Sequence, residues 1–260
     1  MTLANTLALG VAALSLAAAT TPAARAADIG VKNIVLVHGA WADGSGWQGI
    51  YDILAKDGYN VSIVANPLTS LADDVAAVDR VLARQDGPVI LVGHSYGGAV
   101  ITEAGDAAKV VGLVYVAAFM PDVGESILGL LPKSDTPPPF DIDKDGFAFF
   151  TKDAYVPVFA PDVGAELGAF MEASQAPLSI PKAGLMPLTV AAWKTKPSWY
   201  AVSTEDQAIP PDLERFFAKR AGSTTIEVKG SHVAFVKAQV QPIAQLIEAA
   251  AKGAAGAAAH

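Results

Sequence analysis

Apolar positions along this chain follow two alternating rhythms. Residues 31–37 (VKNIVLV) form a β-branched run, the pattern of a strand buried on both faces. Residues 47–56 change to helical spacing, with Trp47, Ile50, Ile53 and Leu54 on one face. A second strand spans 59–65 and stops at Asn66 and Pro67. Residues 70–85 read as a helix with Ser70 as N-cap and Val75, Val78, Val81 and Leu82 turned inward. A third strand at 89–92, a helix at 96–108 and a fourth strand at 110–117 follow. Strands alternating with helices predict βαβ units, a parallel sheet and right-handed crossovers.

The rhythm breaks at Phe119. Between there and Pro197 lie 11 of the 17 prolines, so residues 120–196 read as an inserted cap of short helices and loops. The sheet resumes at 198–202, followed by a helix at 211–220, a strand at 225–229 and a last helix from about residue 240. There is no internal repeat and no flexible interdomain linker. The expectation is one α/β domain over residues 27–260 carrying a lid-like insertion.

Candidate chemistry sits at the strand-to-helix junctions. Gly93-His94-Ser95-Tyr96-Gly97 follows the third strand directly, so G-x-S-x-G stands where a sharp turn can present Ser95 Oγ at the carboxyl end of the sheet. A serine hydroxyl needs a base. Of the four histidines, His94 adjoins the nucleophile and is expected to point away into the fold, His38 to organise the first loop, and His260 is terminal. His232, in a loop ahead of the last helix, is the candidate base. The acid belongs between them at a strand end. Asp206 is the choice, accepting Nδ1–H of His232, with Glu205 its neighbour and Asp122 the more distant alternative. An oxyanion hole needs two backbone donors, for which Tyr96 and Ala40 are the candidates, Gly39 letting that loop approach closely. His-Gly-Ala-Trp lacks the lysine of a phosphate loop. Trp41 and Phe119, at strand ends, are candidate pocket residues. The cap phenylalanines Phe140, Phe147, Phe149, Phe150, Phe159 and Phe170 could line an apolar pocket or form cap core.

Composition narrows the classes. With 260 residues, 52% hydrophobic and 17% charged, the chain can bury a large core and is not disordered. It has no cysteine, which removes disulfides, thiolate metal sites and a cysteine nucleophile. A formal charge of −8 without a basic patch argues against nucleic acid. Residues 7–19 are apolar and uncharged but too short to span a bilayer, and Ala24-Arg25-Ala26 fits a signal-peptidase site. The expectation is a signal peptide over 1–26 and a periplasmic or secreted protein without stable membrane insertion.

These pieces resemble the α/β-hydrolase superfamily, above all the plant methylesterase and hydroxynitrile lyase group and its bacterial relatives. The shared segments are VLVHGAW at 35–41, VGHSYGG at 92–98, AAFMPD at 117–122, STED at 203–206 with Ile209-Pro210, and KGSH at 229–232. The resemblance implies a mostly parallel central sheet flanked by helices, with an inserted cap. It also implies a Ser95–His232–Asp206 triad, Ala40 and Tyr96 as oxyanion donors, and no metal or cofactor. The expected activity is hydrolysis of a small-molecule carboxylic ester. The alternatives are cyanohydrin cleavage on the same scaffold, or a binding protein that has lost catalysis. The lyases of that group tend to carry Thr where this chain has Gly39, an acidic residue at His94 and, in plants, Lys at Val233. An uncharged floor at Val233 beside His232 is therefore expected to favour hydrolysis.

Overall fold

The computed structural model describes residues 30–133 and 139–257, and the expected leader lies outside them. In chain order, the first half comprises β1 (Asn33–Val37), α1 (Gln48–Lys56), β2 (Asn60–Val64), α2 (Leu71–Ala83), β3 (Val89–Ser95), α3 (Tyr96–Ala104) and β4 (Val110–Ala118). The cap segment holds α4 (Ile127–Leu130), β5 (Phe140–Ile142), β6 (Phe147–Phe150), α5 (Lys152–Ala154), α6 (Ala165–Ala173) and β7 (Leu178–Ser179). The chain returns to the main layer through β8 (Ser198–Ser203), α7 (Pro211–Ala221), β9 (Thr224–Val228) and α8 (Val240–Ala257).

Six strands form one parallel sheet in the order β2-β1-β3-β4-β8-β9. Every residue of β1, β3 and β8 is buried, as the unbroken apolar runs require. The order reverses beside β1 and β3, so their carboxyl ends open a crevice where two loops diverge.

Several local expectations change in detail. Ser70 caps α2 by accepting Asp73 N–H, but the buried face is Leu71, Asp74, Ala77, Val78 and Leu82, with Val75 and Val81 only partly covered. The α3 helix stops at Ala104 rather than running to 108, with Gly105 as its C-cap.

The cap is not made of short helices and loops alone. Strands β5, β6 and β7 pair as a three-stranded antiparallel sheet. Its hairpin turns on Asp143, whose Oδ1 accepts Asp145 N–H and Phe147 N–H, each at 2.9 Å, while Gly146 adopts φ +83°. An aspartate followed by a left-handed glycine between aromatic strands is a hairpin signal. The density of prolines around it obscured the alternation.

Two carboxylates fasten the cap to the main layer. Glu125 meets Arg220 of α7 through paired bonds of 2.9 and 3.0 Å, and Arg220 also donates to Met120 O at 2.6 Å. At the returning end Glu103 of α3 accepts Thr189 N–H at 2.9 Å and Val190 N–H at 3.0 Å.

Candidate active site

Ser95 ends β3 and begins the turn into α3 with φ 55° and ψ −124°, a left-sided conformation that a non-glycine residue adopts only under constraint. The constraint is packing. A Cβ at Gly93 would fall 2.5 Å from Gly97 O, so the turn closes only on glycine there. Ser95 O accepts Phe119 N–H at 3.1 Å, which ties the turn to the end of β4.

His232 lies in the loop after β9, and that loop is held from two sides. Asp162 of the cap accepts Ser231 N–H at 2.8 Å and Ser231 Oγ–H at 2.6 Å. His94 bonds the His232 carbonyl oxygen through Nε2 at 2.9 Å. Asp206 follows β8, and its Oδ1 accepts Ala208 N–H at 2.6 Å and Ile209 N–H at 2.9 Å. Its Oδ2 accepts His232 Nδ1–H at 2.5 Å, which leaves Nε2 to accept the Ser95 hydroxyl at 2.8 Å. Ser95, Asp206 and His232 are all buried. The three residues singled out from sequence therefore form one continuous hydrogen-bonded line. Glu205 and Asp122 are not part of it: Glu205 is exposed near Lys229, and Asp122 pairs with Lys194 at 2.5 Å.

Ala40 and Tyr96 face the same cavity as Ser95 and His232. Tyr96 opens α3, so its N–H belongs to the first turn of a helix, whose donors have no intrahelical acceptor and whose dipole favours negative charge. Its hydroxyl is anchored away from the cavity, donating to Asp74 Oδ2 at 2.6 Å. Burial pushes the Asp74 carboxyl up to about 6. Gly39 packs so closely that a Cβ there would lie 2.6 Å from Ser95 Cβ and 3.1 Å from His94 Nδ1.

His38 does organise its loop: Nδ1–H donates to Gly39 O at 2.9 Å and Nε2 accepts Asn66 N–H at 3.0 Å. Burial lowers its basicity, consistent with a neutral ring. His94 does turn into the fold, fully buried and outside the cavity lining, but its ring also lies 4.7 Å from that of His232. Burial holds it well below the usual histidine range, so the ring is neutral, Nε2–H donates to His232 O, and Nδ1 is a buried acceptor without a partner among the described residues.

The cavity in front of Ser95 has a volume of about 160 Å³. Trp41, Phe119, Ile127, Leu131, Phe140 and Phe150 form its apolar walls, and Gln207 stands at the edge. Trp41 and Phe119 thus both lie where the pocket was expected. Of the cap phenylalanines, Phe140 and Phe150 line the cavity, Phe159 is core against His232, and Phe149 and Phe170 are exposed. Val233 does not form the floor. It is buried against a separate space of about 20 Å³ lined by Tyr155, Met171 and Phe235. The nearby lysines point elsewhere: Lys229 is exposed, and Lys237 donates to Val163 O at 3.2 Å.

Trp41, at φ +55°, is gripped by the cap at three points. Its N–H donates to Ala176 O at 2.9 Å, its indole Nε1–H to Ala148 O at 2.8 Å, and its carbonyl accepts Tyr155 Oη–H at 2.7 Å. Sequence reasoning missed these struts, as it missed Asp162, because each joins residues far apart in the chain. It also missed Glu214, buried on α7 against Ser203 at the end of β8. Among the described residues, no group of three or more His, Asp or Glu side chains is arranged to hold a metal ion, and no helix is long and apolar enough to cross a membrane.

Residues 34–249 match the alpha/beta hydrolase family. The chain belongs to that family. Among relatives of this alpha/beta hydrolase, a carbendazim hydrolyzing esterase of Nocardioides sp. (strain SG-4G) is 37% identical over 124 residues, covering 41% of this chain and 50% of that protein. Methylesterase 7 of Arabidopsis thaliana is 32% identical over 110 residues, covering 35% of this chain and 42% of that protein. The matched stretch thus spans half or less of these two relatives. Among solved structures, a pyrethroid hydrolase from Sphingobium faniae JZ-2 shares the fold with a TM-score of 0.71 and 21% identity, covering 85% of this chain and 97% of that one. The likeness to methylesterase 7 is one of sequence over that stretch, and the likeness to the pyrethroid hydrolase one of fold.

Proposed function

We propose that this alpha/beta hydrolase cleaves small, uncharged carboxylic esters through an acyl-enzyme on Ser95. The observation that carries the reading is the line Ser95 Oγ–His232 Nε2–His232 Nδ1–Asp206 Oδ2, with bonds of 2.8 and 2.5 Å, ending at the mouth of an apolar cavity. His232 accepts the Ser95 proton as Oγ attacks the carbonyl carbon. Asp206, held by two backbone donors, keeps Nδ1 protonated and stabilises the imidazolium. The N–H groups of Tyr96 and Ala40 receive the oxyanion. His232 then protonates the departing alkoxide, and the same histidine activates the water that releases the acid.

The names of the relatives, an esterase and a methylesterase, support ester chemistry, and the absence of lysine or arginine from the described cavity lining supports a neutral substrate. No observation favours the lyase or the non-catalytic reading. The experiment is a panel of aryl and methyl esters of graded acyl length, run beside mandelonitrile and a fluorophosphonate probe. Ester turnover that is lost in Ser95→Ala is the expected result. A mandelonitrile rate above every ester rate would replace this reading with the lyase. No turnover and no labelling of Ser95 would replace it with the binding protein.

We also propose export, with cleavage after Ala26 and a mature start at Ala27, on the strength of the short apolar run and the Ala-x-Ala pattern. N-terminal sequencing of exported material decides it: an intact Met1 with membrane retention would favour an anchor.

A further inference from the structure

Glu214 is buried on α7. Its spacing with Phe217 and Ala218 puts it on the helix face that packs against β8. One carboxyl oxygen, Oε2, accepts Ser203 N–H at 3.1 Å, while Oε1 is buried and meets no donor among the described residues. Ser203 links this carboxyl to Asp206, whose own N–H bonds Ser203 O at 3.3 Å, and the Asp206 side chain is the neighbour whose charge and hydrogen bonding act on it. Two ionised carboxylates cannot share a hydrogen bond, so one of the pair carries a proton.

The donors around each group decide which. Asp206 accepts three N–H groups, from Ala208, Ile209 and His232, whereas Glu214 accepts one, from Ser203. Donors stabilise the ionised form, so the charge settles on Asp206 and the proton on Glu214. A carboxylate offers about four lone-pair sites, and three on Asp206 are already taken. We propose that Glu214 is a neutral carboxylic acid donating its proton to Asp206, and that it acts as a positioning residue for the Ser95–His232–Asp206 line. Desolvation and the neighbouring Asp206 charge both push the Glu214 carboxyl well above the ordinary range, in keeping with that assignment. The other titratable groups facing it are Tyr200 of β8, itself driven upward by burial, and Arg215, next in α7 and paired at the surface with Glu227 and Asp212.

The consequence for catalysis rests on the esterase reading. With its fourth site filled, Asp206 cannot rotate away when His232 becomes charged. The alternative, an apolar residue at 214, leaves Ser203 N–H unpaired and one Asp206 lone pair buried without a donor.

Infrared difference spectra at about pH 8, where Asp74 is ionised, test the proton's location without any turnover. The expected result is a protonated-carboxyl band in the wild type that disappears in Glu214→Gln. No such loss, or the same band lost in Asp206→Asn and retained in Glu214→Gln, overturns the assignment. The glutamine amide can still donate to Asp206 and accept from Ser203, so Glu214→Gln keeps near wild-type kcat; a collapse of kcat there overturns the positioning role. Glu214→Leu lowers kcat roughly ten- to a hundredfold with KM unchanged. It also shifts the proton resonance of His232 Nδ1–H, assigned by its loss in His232→Ala. Wild-type kcat with an unmoved resonance overturns the role. Should Glu214→Leu not fold, the glutamine variant carries both readouts. A wild type without Ser95-dependent turnover would sink the esterase reading alone, since the infrared result would still decide where the proton sits.

Discussion

The Nε2–H of His94 reaches the carbonyl oxygen of His232 at 2.9 Å, so the residue before Ser95 holds the backbone of His232. Their rings lie 4.7 Å apart, and Phe235 backs His94 at 4.6 Å. Ser95 and His232, far apart in sequence, are spaced by this one bond as well as by their own.

His94→Ala should therefore hurt stability and activity together. It leaves the His232 carbonyl without its donor and opens a void beside the base, costing roughly 2–4 kcal/mol. Urea unfolding measures the first effect and kcat per folded molecule the second. An unchanged midpoint would mean the strut is dispensable.

Ser95→Ala should abolish ester turnover, a loss on the order of 10⁶ if triad deletion behaves as in a well-studied serine hydrolase. Asp206→Asn should cost roughly 10⁴, because an amide can stabilise the wrong histidine tautomer. Glu205→Gln should leave the rate near wild type, since Glu205 is exposed and lies outside the line. Steady-state kinetics on one aryl ester separates the three. A Ser95→Ala preparation retaining a tenth of the activity would remove Ser95 as nucleophile.

Gly39→Thr should not convert the site to a lyase. Its Cβ would fall 2.6 Å from Ser95 Cβ, and neither the β3 turn nor the loop of Trp41 can yield without breaking backbone bonds. The expected outcome is a loss of ester turnover with no gain of mandelonitrile cleavage. Cleavage that rises in this variant would show that the loop accommodates the side chain.

Asp74 gives stability a pH dependence of unusual sign. Its carboxyl titrates near 3.8 when unfolded and near 6 when folded, chiefly because burial penalises the charge. In that window the folded state binds more protons, so the contribution is fully present below the unfolded value and lost as pH rises through the folded one. The lost amount is on the order of 2–3 kcal/mol. Asp74→Asn can still accept Leu68 N–H and meet the Tyr96 hydroxyl, so urea midpoints between about pH 4 and 7 should vary less than in the wild type. Equal slopes in both proteins would refute the assignment.

The turn at Ser95 was legible because its cause is local: Gly93 and Gly97 must be small wherever β3 turns into α3. Asp206 and His232 followed from their order along the chain and their places at strand ends. The bond from His94 to the His232 carbonyl was missed because adjacency in sequence says nothing of a partner reached across the sheet. Glu214 could have been found, since a glutamate spaced with Phe217 and Ala218 on an apolar helix face must find a buried partner. The cap sheet was hidden by prolines, although Asp143 and Gly146 mark its turn. Val233 drew a role from resemblance that its burial in a different space does not support.

Because Trp41 is bonded to Ala148, Tyr155 and Ala176, the cap and the loop bearing Ala40 are mechanically one piece. Recombination that exchanged the cap with a relative's would put all three supports of the loop at risk at once, and with them the position of Ala40 beside Ser95. Substitutions within the aromatic wall, at Phe140 or Phe150, would instead reshape the cavity while leaving those three supports in place. A breeder of variants would do well to move residues 39–41 together with any transplanted cap.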